Sequence, residues 1–210
     1  MIPDFLIETL YFLPGIIIGF TFHEFAHAQT AVWLGDDTPR LQGRTSLNPI
    51  VHIDIIGFIL LLVAHFGWAK PVQINPNNFK NKKRDDIIVS ISGPMMNILL
   101  ACIFIILIKV MYSFFGGILD VETFSILENI FAYAAYINIV LCLFNLLPIP
   151  PLDGSHIVFS LAGQMYSELY FKFARISMIL LIVLILTRML NYIIFQPATH
   201  IFYFLQAIIF

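Results

Sequence analysis

The sequence predicts an all-α membrane protein: a bundle of about four to five transmembrane helices, a short re-entrant or interfacial segment and a small cytoplasmic strand-like hairpin. Three observations lead there. Hydrophobic residues make up 60% of the 210-residue chain and charged residues only 11%, against about 25% charged for a soluble domain. The mean hydropathy of +0.90 means more apolar surface than a core of this size can hide, so most of it must face lipid. Long apolar runs also recur at close to the ~20 residues that a spanning helix needs. A net charge of −2, with no basic stripe, argues against a nucleic-acid partner.

The first apolar run covers residues 5–34 and carries Asp4 and Glu8 in place of a positive leader. Its one small-residue cleavage pattern, Ala26-His27-Ala28, falls inside a polar cluster, so this segment is expected to be retained. Residues 36–50, "DDTPRLQGRTSLNPI", are polar and broken by Gly and Pro, and read as turns and short strands. The run 55–69 has 15 residues, marginal for a span. Further spans are expected at 86–115, 129–147 and 173–195. The closing "ATHIFYFLQAIIF" is shorter and reads as interfacial or packed on the bundle. With no internal repeat, residues 1–210 read as one domain. Cys102 and Cys142 lie in apolar runs and read as buried free thiols.

Basic residues set the orientation. Arg40 and Arg44, then Lys70, Lys80, Lys82, Lys83 and Arg84, then Lys172 and Arg175, mark three cytoplasmic regions. The loop 116–128 has no Lys or Arg but holds Asp120, Glu122 and Glu128, and belongs outside. The run 55–69 has basic flanks on both sides, so it is expected to enter and leave on one side. Asp85 and Asp86, beside the basic run, read as solvated.

Ionisable groups inside a membrane segment are costly and tend to be functional. The first run contains "HEFAH". His23 and His27 are four apart, which puts both imidazoles on one helix face, able to share a metal ion. Glu24 stands beside that pair, where a general base can take a proton from metal-bound water. H-E-x-x-H on a helix is the zinc-hydrolase arrangement, and chance gives this pattern here at a rate of roughly 0.4%. Catalytic zinc usually takes three protein ligands. The assigned topology brings the end of the run 129–147, "NLLPIPPLDGSHI", to the depth of the histidine pair. Asp153 is therefore the candidate third ligand, with His156 its rival.

"HEFAH" in a membrane helix, followed by "NLLPIPPLDG" at the end of a later one, resembles the site-2 protease family of intramembrane zinc metalloproteases. "LGDDTPRLQGRTSLNPIVHIDIIG", "GWAKPVQINPNNF" and "SGPMMN" are similar to its compact bacterial branch, which lacks appended domains. The resemblance implies one Zn2+ per chain held by His23, His27 and Asp153, with Glu24 as catalytic base. The substrate it implies is a membrane protein cut in or near a transmembrane segment. Ser155 departs from the pattern, standing where the family often has a second glycine.

The localisation expected is the plasma membrane, multi-pass, with the site toward the cytoplasm. Asn145 is a candidate oxyanion donor or substrate clamp, or else serves carbonyls freed by Pro148. Gly93 and Asn97 line a substrate path or only pack helices. Gln29 and Asp36 suggest a water route. An unwound substrate can add as a strand to the edge of 36–50, unless that segment is a plain surface hairpin. His52 and Asp54 either anchor the short apolar run or bind a second metal, and His65 reads as interfacial. The competing class is a non-enzymatic zinc-binding membrane protein such as a metal carrier, which has no use for a carboxylate beside the metal.

Overall fold

The computed structural model describes residues 4–64, 67–165 and 167–210. His65 lies outside them. In lipid every backbone polar group must be satisfied internally, which leaves helices as the form for these apolar runs. Eight α-helices are described: α1 (Asp4–Trp33), α2 (Thr38–Leu41), α3 (Ile55–Ala64), α4 (Lys82–Phe115), α5 (Val121–Asn145), α6 (Asp153–Leu161), α7 (Glu168–Leu186) and α8 (Gln196–Ile209). Five stretches are long and apolar enough to cross a membrane: Thr9–Trp33, α4, α5, α7 and Asn191–Ile209. The chain is thus a multi-pass membrane protein. Among the described residues there is no sheet.

The three helices α1, α4 and α5 pack mutually and form the central unit. Leu100, Phe104 and Ile105 of α4 meet Ala134 and Ala135 of α5. The final stretch seats Ile194 and Ala198 against Ala101, Ile139 and Val140. It therefore packs on the bundle, and the five-residue π-helical turn Asn191–Phe195 before α8 makes it longer than its composition suggested.

Two expected boundaries move. The helix expected at 129–147 begins at Val121, because Asp120 Oδ1 accepts from the Thr123 amide at 2.9 Å and caps it early. The run 173–195 is not one helix. It breaks after α7, where Arg188 takes a φ of 57°, a left-handed conformation that cannot continue a right-handed helix.

The expected strand-like hairpin at 36–50 is absent. Residues Thr38–Leu41 form a helical turn with Pro39 in its first positions, and Pro49–Val51 form a 3₁₀ turn capped by the Asn48 side chain. Proline suits a first helical turn because its missing N–H is not needed there. The nearest approach to a strand pair is an isolated bridge between Ile53 and Ala69.

That bridge closes the base of the short apolar run. The Lys70 amide donates to the His52 carbonyl at 2.8 Å, so the chain leaves α3 beside the point where it entered. Ten residues of helix span only about 15 Å, half of a ~30 Å hydrocarbon core. The segment enters and leaves on one side and is too short to cross. Gly57 and Gly67 permit this, since a Cβ on either would overlap the opposing backbone.

Candidate metal centre

The second half of α1 carries His23, Glu24 and His27, all buried. α4 passes close against the Nε2 edges of the imidazoles at Gly93, where an added Cβ would overlap His27 Nε2 together with His23 Cε1 and Nε2. The missing side chain is what lets α4 lie against the rings. Asp153 arrives on the first turn of α6, after the proline-rich turn. There Gly154 packs on the Leu146 and Leu147 carbonyls. Ser155, the departure from the expected glycine, is fully buried and bonds the Leu152 carbonyl at 2.7 Å. The turn thus closes with serine as well.

Three atoms converge. His23 Nε2 lies 3.2 Å and His27 Nε2 3.3 Å from Asp153 Oδ2, and the two Nε2 atoms are 3.0 Å apart. Among the described residues these three form the group able to hold a metal ion. Zinc bonds of about 2.0–2.1 Å at the tetrahedral angle separate ligand atoms by about 3.3–3.4 Å. The observed triangle is close to one face of such a tetrahedron. Asp153 Oδ2 is buried without a well-formed hydrogen bond, which is costly for a carboxylate unless a cation faces it. Burial pushes this carboxyl up, but the two facing imidazoles outweigh that and hold it below the usual range. The donor set of two nitrogens and one oxygen fits zinc.

The far sides of the rings are equally constrained. His23 Nδ1 donates to Asn97 Oδ1 at 2.6 Å, and His27 Nδ1 to the Val89 carbonyl at 2.8 Å. Both acceptors place the ring proton on Nδ1 and leave Nε2 a free lone pair toward the centre. The orientation of Asn97 is itself fixed. Its Nδ2 donates to Asn138 Oδ1 at 2.9 Å and to the Gly19 carbonyl at 3.3 Å. Asn138 in turn donates to the Ala134 and Gly15 carbonyls. Both asparagines are fully buried. Of the two candidates for a substrate path, Asn97 thus stands behind the His23 ring and holds it, while Gly93 lies against the Nε2 edges of both rings.

Glu24 points beside the triangle. Its Oε2 accepts from the Val72 amide at 2.9 Å and lies 3.9 Å from Arg44 Nη2. Arg44 is buried, and its guanidinium also donates to the Val51 carbonyl at 2.7 Å and to the Lys70 carbonyl. One side chain thus ties the 3₁₀ turn, the return from α3 and the Glu24 region together. Sequence reasoning counted Arg44 only as a topological charge. No local motif marks it, because its partners are backbone carbonyls distant in sequence.

A cavity of about 300 Å³ opens onto these groups, lined also by Asn145, Asp86 and His156. Asn145 Nδ2 donates to the Leu141 carbonyl at 2.9 Å, leaving Oδ1 and one N–H for the cavity. Asp85 and Asp86 are buried, against the expectation that both are solvated. Asp85 accepts from Asn81 N and Arg84 Nε at the α4 N-terminus, and Asp86 accepts from Ser160 Oγ at 2.5 Å. His52 and Asp54 anchor. His52 Nε2 bonds the Ser46 carbonyl at 2.6 Å, and Asp54 Oδ1 accepts from the Gly57 amide at 2.9 Å. Asp36 is fully buried on Thr38, Asn75 and Asn78 and is no water route.

Comparison with known proteins decides the family. The model for peptidase family M50 matches residues 115–187, the part that holds Asp153. Over 149 residues the chain is 46% identical to the Bacillus subtilis protein named "Putative zinc metalloprotease YwhC", covering 70% of this chain and 67% of that one. The chain belongs to peptidase family M50, the site-2 protease family. Two more relatives bear the same form of name. MJ0611 of Methanocaldococcus jannaschii is 31% identical over 74% of this chain and 73% of its own length. Rip2 of Mycolicibacterium smegmatis is 28% identical over 68% of this chain and 53% of its own. The match thus spans only about half of Rip2. No solved structure matches.

Proposed function

We propose that this M50 metalloprotease is an intramembrane zinc endopeptidase. In this reading it hydrolyses a peptide bond in or near a transmembrane segment of a membrane-protein substrate. The observation that carries the reading is the buried Asp153 Oδ2 facing two Nε2 lone pairs across 3.2 and 3.3 Å. His23, His27 and Asp153 would hold one zinc ion. Bound there, zinc supplies Lewis acidity that polarises a carbonyl and brings the pKa of water to about 7.

Glu24 supplies the proton transfers. The Val72 amide fixes Oε2, so Oε1 is the atom left to take a proton from the attacking water and return it to the departing amine. Asn145 contacts the substrate backbone from the cavity wall. The site lies among α1, α4 and α6, beside helices apolar enough to cross a bilayer, which favours a substrate delivered from the membrane. The basic loops favour a site toward the cytoplasm. A metal carrier has no need of a carboxylate held off the ligand set, and the fixed position of Glu24 weighs against that class.

The test is Glu24→Gln. Cleavage of membrane peptides in vesicles is expected to fall by about 10²–10⁴-fold, with zinc content unchanged by metal analysis. Undiminished cleavage refutes the assignment. Comparing membrane-derived fragments released by the two forms identifies the substrate.

A further inference from the structure

One ionisable pair in the cavity has no role so far. α6 carries Asp153, His156 and Ser160 at spacings of three and four, hence on one face. Asp153 meets the histidines of α1, and Ser160 Oγ donates to Asp86 Oδ2 on α4 at 2.5 Å. Between them His156 lines the cavity, with Nδ1 3.6 Å from Asp86 Oδ1. Asp86 is buried and its two oxygens are divided between Ser160 and His156. The Tyr170 ring of α7 flanks the imidazole, with ring centroids 6.1 Å apart.

The geometry points to His156 as a further catalytic residue, the hydrogen-bond donor to the scissile carbonyl oxygen as negative charge develops on it, with Asp86 as its positioning residue. This rests on the peptidase reading above. With Nδ1 turned to Asp86, Nε2 is the ring nitrogen left for the cavity, and it has no hydrogen-bond partner among the described residues. In this role the ring carries both N–H groups: Nδ1 faces Asp86 across 3.6 Å as an ion pair, the carboxylate balances the charge, and Nε2–H is offered to substrate. No proton is transferred in this role. A charged donor outweighs a neutral amide such as Asn145, and preorganised donors act most strongly where charge appears only in the transition state. Ser160 stops Asp86 from turning away.

The experiment uses the full chain in lipid vesicles with one pool of quenched fluorescent transmembrane peptides for all variants. His156→Ala is expected to lower kcat about 10²–10³-fold with KM and zinc content little changed. A phosphinic pseudopeptide, whose tetrahedral oxygen mimics the charged carbonyl, should lose affinity by the same factor; the matching ketomethylene peptide should not. His156→Gln, which keeps an N–H, should recover part of kcat. Adding Asp86→Asn to His156→Ala should cost nothing more, because the two act as a unit. Wild-type kcat in His156→Ala overturns the proposal, as does equal loss of both inhibitors or loss of zinc. If Glu24→Gln is inactive while His156→Ala is not, only the His156 role fails; if Glu24→Gln cleaves normally, the peptidase reading itself fails.

Discussion

Gly93 shows how much of this site is set by an absent side chain. Its Cα hydrogens face both imidazole Nε2 atoms, so α4 can seal the rings against Asn97 and Val89 without intruding on the metal-binding face. Gly93→Ala must displace a ring or the helix, and overpacking of this kind costs about 1–3 kcal/mol, or about 5- to 150-fold in affinity. Zinc retention under chelator titration checks this; unchanged retention would mean that the helices separate freely. "HEFAH" marked the two histidines and the base because the motif is local. Asn97, four residues after Gly93, was legible as a buried polar group but not as the partner of His23. That pairing crosses 74 residues of sequence.

At the scale of elements, the loops over the site are held by a few buried charges. Asp36 receives hydrogen bonds from Thr38, Asn75 and Asn78, tying the end of α1 to the segment before α4. Burial pushes the Asp36 carboxyl up, but those bonds outweigh it and hold the folded value below the ordinary 3.8. The sign follows from linkage. The contribution is fully present above the unfolded value and is lost as pH falls through the depressed folded one. Proteolysis between Gln73 and Lys80 is therefore expected to rise in that acid range, and Asp36→Asn should give the high rate already at neutral pH. A flat profile in the wild type would remove Asp36 as the pin. Sequence read the segment 36–50 as polar, which is right, and as strand-like, which is not. The turn residues Pro39, Asn48 and Pro49 decide its shape.

For the whole molecule, α4 settles how the bundle can sit in a membrane. Its 34 residues extend about 50 Å, beyond a ~30 Å hydrocarbon core, so one end must project. The Lys82–Asp86 end carries the basic loop and lies beside the metal centre. Single cysteines at Lys80 and Glu122, both exposed, in a chain lacking Cys102 and Cys142, should react with impermeant maleimide from opposite faces, Lys80 from the cytoplasmic one. Labelling of both from one face would invalidate the topology.

By itself the sequence determined the membrane class, the helical bundle and the histidine–glutamate signature. Hydropathy acts residue by residue, and a helix repeats every few positions, so both are written locally. Only the tertiary structure decided that Arg44 lies buried by Glu24, that the Asp85–Asp86 pair is interior and that His156 faces Asp86. Those contacts join helices and loops far apart in the chain. Their energies come from backbone carbonyls and carboxylates meeting across an apolar interior, which no short stretch of sequence records.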